Sequence, residues 1–478
     1  MTPKLDSSRR ASVLLLALGW VAILAVIAGT TLFVIQNKHR QAFQATSWQD
    51  ALVAAESGVD LAVNELRKTL ADPSTAWQGW NRSDGGTGAL TSGSAFLSST
   101  VLIRKTEGGQ RSWAEVQVDA PANLRDTSGE QWYRVRSMGY AEIPGGSVVA
   151  GEKQDLELRK LSLRTDRWTG AAITAPRASR LVEAIVKPVG TFRVALLSVD
   201  TIDMNNLNIV VDSYDSRNPA KSTNAWYDST KRQDHGDIAT DGTLIDTGNA
   251  HIYGSASTNG GSVLNSANVT GDIRNDFYQE IFPVKQPAMT PTAGTPSSVT
   301  NSTTIAASRG TPTQVVLSTI KLSGQETLRI KGADDGSETF CQILVTGNIG
   351  LSGQASIILE PGVYVRMFIV GDAALTGQGV ANPNSPLHFQ LYGIDRPADA
   401  ATGQMSISGN GGFRGSVYAP NYDLSMVGGG NDDSIFGAFV GKTIRMTGVQ
   451  SVHYDEALGD GGLVSDYRVV SWFEDSSR

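Results

Sequence analysis

Residues 11–35 read ASVLLLALGWVAILAVIAGTTLFVI, 25 residues without a charge. At about 1.5 Å per residue a helix of that length crosses a hydrocarbon core of ~30 Å. Arg9 and Arg10 precede it, and Lys38, His39 and Arg40 follow it. The run is longer than the roughly 7–15 apolar residues of a cleaved signal peptide, and no Ala-x-Ala site occurs in the first fifty residues. The expectation is a retained single-pass membrane anchor. Both flanks are basic, so charge does not set the orientation. The short segment 1–10 points to a cytoplasmic start, with the bulk exported.

Helical character continues beyond the apolar run. No proline stands between Pro3 and Pro73. Phe43, Trp48, Leu52, Ala55, Val59, Ala62, Leu66 and Leu70 recur at steps of mostly three and four, the spacing of one helical face. Asp72-Pro73 closes the segment, because the residue before proline is pushed out of the helical region. The spacing predicts one rod over 11–72.

Composition fits an exported β-rich chain. Only 18% of the 478 residues are charged, and glycine is abundant at 51. A net charge of −7 argues against nucleic acid as a partner. The single cysteine, Cys341 in FCQILV, reads as a buried small residue of a strand and excludes an intrachain disulfide.

RRASVLLLALGW followed by AFQATSWQDALVAAESGVDLAVNELRKTL resembles the N-terminal segment of PilX-type minor pilins and related type IV pilus assembly proteins. That pattern is a basic start, a long apolar helix and an A-A-E-x-G-hydrophobic stretch, carried here by Ala54, Ala55, Glu56, Ser57 and Gly58. The resemblance implies a pilin-like helix with prepilin processing. Type IV prepilins are typically cut after a glycine, and many carry a glutamate five residues into the mature helix. The corresponding junction here is Ala11–Ser12, and the fifth residue beyond it is Leu16.

Residues 74–100 read as a Gly/Ser/Thr-rich loop. VLIRK, WAEVQVDA, QWYRVRSMGYAEI and LELRKLSLRTDR then alternate polar with apolar, which predicts a small antiparallel sheet packed on the apolar stripe of the helix. Arg134, Arg136, Arg159, Lys160 and Arg164 give it a basic, solvated face.

From about 190 a degenerate repeat sets in. An apolar-x-apolar-x-Gly strand end recurs at Gly271, Gly324, Gly353, Gly377, Gly409, Gly428 and Gly448. Short strands with glycine corners predict a right-handed parallel β-helix, a β-solenoid, whose coils bury Leu322, Leu351, Leu375, Ile407, Met426 and Met446, with Val417 and Phe439 on the next face. A β-sandwich is the alternative. Five prolines mark 281–313 as an excursion, and DYRVVSWFEDSSR reads as a final strand with Trp472 sealing the last coil. The segments GSVYAP, GAFVGK and HYDEAL resemble a C-terminal β-helix-like region of proteins that carry the PilX-type segment. The expected organisation is an N-terminus at 1–10, the helix at 11–72, a head at 73–188 and the solenoid at 189–478.

Chemistry is sparse. HExxH, G-x-S-x-G, P-loop and CxxC patterns do not occur. His453-Tyr454-Asp455-Glu456 is the most suggestive cluster, but consecutive strand residues face opposite ways. Asp212 with Asp215, and Asp432 with Asp433, are weak calcium candidates that fit no calcium-loop pattern. The chain therefore reads as a non-enzymatic, cofactor-free structural protein. Its expected partners are the inner membrane, other pilin-like subunits and the pilus assembly platform, and surface glycans or host and neighbouring cells. The alternatives are a bactofilin-like polymer-forming scaffold and a polysaccharide-binding or polysaccharide-cleaving β-helix.

Overall fold

The computed structural model describes residues 7–71, 75–86, 95–105, 111–121, 123–124, 131–143, 177–204, 209–376, 378–397, 400–408, 412–428, 434–460 and 464–475. The strand expected in LELRKLSLRTDR, with Arg159, Lys160 and Arg164, lies outside them, as do Asp432 and Asp433. The protein is mainly β, with one long N-terminal apolar helix, an antiparallel sheet and extensive parallel sheets.

Helix α1 runs unbroken over Ser7–Ala71, within a residue of the expected end. Ala51, Ala54, Ala55, Val59, Ala62 and Leu66 are buried, whereas Leu16, Trp20 and Phe33 are each at least 60% exposed. The apolar stripe thus holds from Leu52 onward, while Phe43 and Trp48 stay in the open. Glu65 accepts the backbone N–H of Trp77 at 2.7 Å, fixing the chain reversal beyond the helix.

That reversal leads into the antiparallel sheet: β1 (Asn81–Arg82), β2 (Phe96–Lys105), β3 (Arg111–Asp119), β4 (Tyr133–Glu142) and β5 (Arg177–Gly190) pair in chain order. β1 and the start of β2 therefore lie inside the segment expected to be loop. Ala114, Val116, Val118, Val135, Val182, Ala184 and Val186 form the face that packs with Ala55, Val59, Ala62 and Leu66. Two glycines set how close the layers come. A Cβ on Gly139 would lie 2.0 Å from the carbonyl oxygen of Ala51, and one on Gly58 would lie 2.2 Å from Ser137 Oγ. Arg134 and Arg136, on the opposite face, reach Asp119 at 2.6 and 3.7 Å.

The C-terminal strand is a correction. Val464–Asp475 does not close the coils; it pairs antiparallel with β5 as the sixth strand of this sheet, and Trp472 is 45% exposed. Its alternation suits either sheet, but Tyr467 enters the helix-side core and Asp466 meets Arg67 at 2.7 Å.

Parallel pairing governs 196–455. Leu322, Leu351, Leu375, Ile407, Met426 and Met446 stand in one register column, each no more than 5% exposed. A longer column passes through Val315, Ile343, Met367, Leu391, Val417, Phe439, Leu196, Ile238, Ala256 and Ile273. A smaller parallel sheet joins Thr303–Ala306, Thr327–Lys331, Ser356–Leu359 and Val380–Ala381. Gly324 and Gly353 sit at φ +60° and +71° in successive corners, a left-handed geometry that a β-carbon disfavours.

Spatial order in this stack is not chain order. The chain enters the middle, with Leu196 beside Phe439, and steps outward through Ile238 and Ala256 to Ile273. It then crosses to the far end and steps back from Val315 to Phe439. The crossing is the proline-rich excursion. It passes Tyr418, whose hydroxyl donates to the Phe282 carbonyl, and bridges Val284 to Ile394 before its Thr292 N–H reaches the Gln314 carbonyl. Ten rungs at ~4.8 Å span about 43 Å, and the chain from Asp276 to Thr292 extends at most about 55 Å. Prolines 283, 287 and 291 suit such a drawn-out path.

Candidate functional site

Two places carry functional signals. The first is α1 itself. Its membrane-length window has a mean hydropathy of 2.4 and none of it is buried. The helix continues through Ala11 and Ser12, the junction marked for processing. The Ala-Ala-Glu-x-Gly motif has a local role: Ala54 and Ala55 are fully buried, Gly58 lies against Ser137 and Val116, and Glu56 is half-buried. The motif is the close-approach face of the helix against β3 and β4.

The second place is the seam where the strand Gln450–Asp455 lies beside Ile209–Tyr214. Register pairs His453 with Asp212, and His453 Nδ1 stands 2.5 Å from Asp212 Oδ1. The Tyr227 hydroxyl donates to Asp212 Oδ2 at 2.7 Å, and its ring stacks on the imidazole at 3.7 Å. Tyr454 points the other way, donating to the Phe192 carbonyl inside the core. Asp455 accepts the backbone N–H groups of Ser216 and Ala457 through Oδ1, while Oδ2 is buried without a partner. Burial holds its carboxyl above the usual carboxylate range. Burial and the Asp455 charge raise the Tyr214 phenol, whose oxygen is likewise buried and unpartnered. Arg414 lies over Trp226 at 3.4 Å and over Phe436 at 4.5 Å, and burial lowers its guanidinium to about 10. Glu456 gathers Ser213, Lys221 and His235 on the surface side.

A His–Asp pair is the arrangement that activates a nucleophile in hydrolases. Here His453 is 6% and Asp212 1% exposed, with Tyr227 stacked on the ring and Phe436 beside it, so the pair is nearly closed off from solvent. The pair ties the strand Gln450–Asp455 to Ile209–Tyr214 across the seam. Asp212 and Asp215 do not share a site: Asp215 turns to Arg217, whose Nε lies 2.9 Å away. Among the described residues no group of three His, Cys, Asp or Glu side chains is placed to hold a metal. Cys341 is buried within its strand, and burial pushes its thiol up to about 12. Sequence reasoning found the His453–Glu456 cluster but not its partners, because Asp212 and Tyr227 lie more than 200 residues away.

A family model described as "Domain of unknown function (DUF7305)" matches residues 333–460, the parallel strands from Thr339 to Asp455 and their connections. No curated protein matches the chain. Among solved structures the chain is similar to the crystal structure of the competence-associated pilin ComZ from Thermus thermophilus. The identity is 12%, the match covers 90% of this chain and 98% of that one, and the TM-score is 0.22.

Proposed function

We propose that this chain is a membrane-anchored, minor-pilin-like structural protein of the PilX type, belonging to a type IV pilus or related secretion system. The observation that carries the reading is the division of α1. One unbroken helix leaves a membrane-length apolar half bare and commits its other half to an antiparallel sheet. A bare apolar half is suited to lipid and, after extraction, to the helices of neighbouring subunits. The PilX-like motif lying at the helix–sheet contact adds support. In this reading residues 1–10 are cytoplasmic, processing falls at Ala11–Ser12, and the rest is exported.

The parallel sheets are, on the same reading, the walls of a right-handed β-solenoid displayed for assembly or adhesion toward glycans or cells. Two folded units follow: α1 with the six-stranded sheet, and the coils between residues 191 and 460. The role is structural, and the closed His453–Asp212 pair supports that over catalysis. Immunoblots of sheared filaments and of membranes, with and without the prepilin peptidase, test it. The expected result is protein in the sheared fraction and a smaller mass when the peptidase is present. Absence from filaments together with an unchanged mass overturns it.

A further inference from the structure

The ten-rung column that starts at Val315 and ends at Ile273 has unlike ends. Val315 is fully buried, and Ile273 is 51% exposed. At the Val315 end the proline-rich crossing lies along the outermost strands. The Thr292 N–H donates to the Gln314 carbonyl at 2.8 Å, the Ser318 N–H to Ser297, the Val299 N–H to Thr319 and the Lys321 N–H to Val299. Val299 is fully buried there. That edge is already paired, and nothing further can add to it without displacing the crossing.

Among the described residues no segment lies along the Ile273 end in that way. Leu264 is 45% and Tyr278 73% exposed, and Val263 and Val269 are only partly buried against the core. Terminal repeats in stacked architectures ordinarily carry a polar outer face, because a bare rung leaves the core open. The backbone at this end is also directional. The carbonyls of Asp272 and Arg274 turn inward, accepting from Ala256 and Thr258 at 2.9 Å each. Since successive residues of a strand alternate, the N–H and C=O of Ile273 face out of the stack.

We propose that two copies of this chain join end to end at this rung, across a two-fold axis through Ile273. An antiparallel apposition centred there makes Ile273 a hydrogen-bonded pair with its own copy, exchanging both N–H···O bonds. The charge pattern is self-complementary in that register and not in the next one. Asp272 of each copy faces Arg274 of the other, twice, whereas centring on Arg274 would set Asp272 against Asp276. The Arg274–Asp276 pair at 3.0 Å is exposed on both sides, so it competes weakly. With the opposite end covered, head-to-tail addition has no acceptor, and the product is a closed dimer rather than a filament. The inference rests on strand register and is independent of the pilin reading; a pilin that fails to dimerise, or a non-pilin that does, separates the two.

The test is oxidative cross-linking of full-length protein in detergent micelles carrying Ile273→Cys. A hydrogen-bonded pair holds its two Cα atoms about 5.5 Å apart, within disulfide reach. The expected result is a covalent dimer from Ile273→Cys and none from Lys321→Cys at the covered end. Adding Arg274→Asp to Ile273→Cys should cut dimer yield at least tenfold, and adding Asp272→Arg as well should restore it. No dimer from Ile273→Cys, or a yield indifferent to the charge reversal, overturns the proposal. A dimer held only by the apolar half of α1 falls under the second outcome, because it ignores residue 274.

Discussion

The antiparallel sheet and the parallel stack solve the same burial problem by different means. The sheet buries one face, against one helix, and every strand but the last follows its neighbour in sequence. Its tolerance is set by backbone approach, at Gly139 and Gly58. The stack buries side chains against the rungs above and below, in columns such as Leu322 to Met446, and its pairs join residues as distant as Leu196 and Phe439. One layer is governed by clearance and the other by ladder continuity. Core substitutions should therefore fail locally and by different mechanisms.

The largest expected effect lies in the ladder. Phe439→Ala empties a fully buried ring at the rung where the two halves of the stack meet, and should cost about 4 kcal/mol. Hydrogen exchange should show protection lost through 196–246 and 413–455 and kept in β2 to β5. Equal loss in both regions would mean that the two fold as one cooperative unit. Gly139→Leu is the converse and should cost about 3 kcal/mol, because the new side chain meets helix backbone rather than a movable side chain. Its exchange losses should fall in 51–66 and 111–142, leaving the stack intact.

The smallest effect is a pH dependence confined to the stack. His388 stacks on Tyr364 at 3.8 Å, and burial lowers its imidazole to about 4 from a usual 6.5. The folded protein thus binds a proton there less readily than the unfolded chain. That contribution is complete above about pH 6.5 and is lost as pH falls toward 4, at most about 3 kcal/mol. His388→Gln should flatten the fall in melting temperature of the stack across that window. An unchanged acid limb in the variant would assign the sensitivity to another group.

Much of this architecture was legible in the residues. α1 was readable because its stripe and its terminating Asp72-Pro73 are local signals, and the inward column because apolar-x-apolar-x-Gly repeats at each corner. β5 was not, since RASRLVEAIVKPVG carries a proline and charged residues that mask its alternation. The partner of the last strand is not legible, because alternation names a buried face and not the sheet that covers it. The rotated order of the stack was invisible, as a contact between Leu196 and Phe439 leaves no period in the sequence. The His453 cluster was half legible for the same reason: its carboxylate partner comes from a strand 241 residues earlier in the chain.

One feature of the topology has a mechanical meaning. Gly190 and Val464, the points where the chain enters and leaves the stack, are paired side by side. The stack therefore hangs from the antiparallel sheet by two covalent strands at one site, with β5 and the C-terminal strand hydrogen-bonded along their length. A pull on the far end of the stack is shared between both strands and loads their ladder in shear, where many bonds must yield together. Neither outermost rung is a chain terminus, so tension has no loose end from which to peel the rungs one at a time. Any force applied to the stack is thus met by a paired double strand at its point of entry.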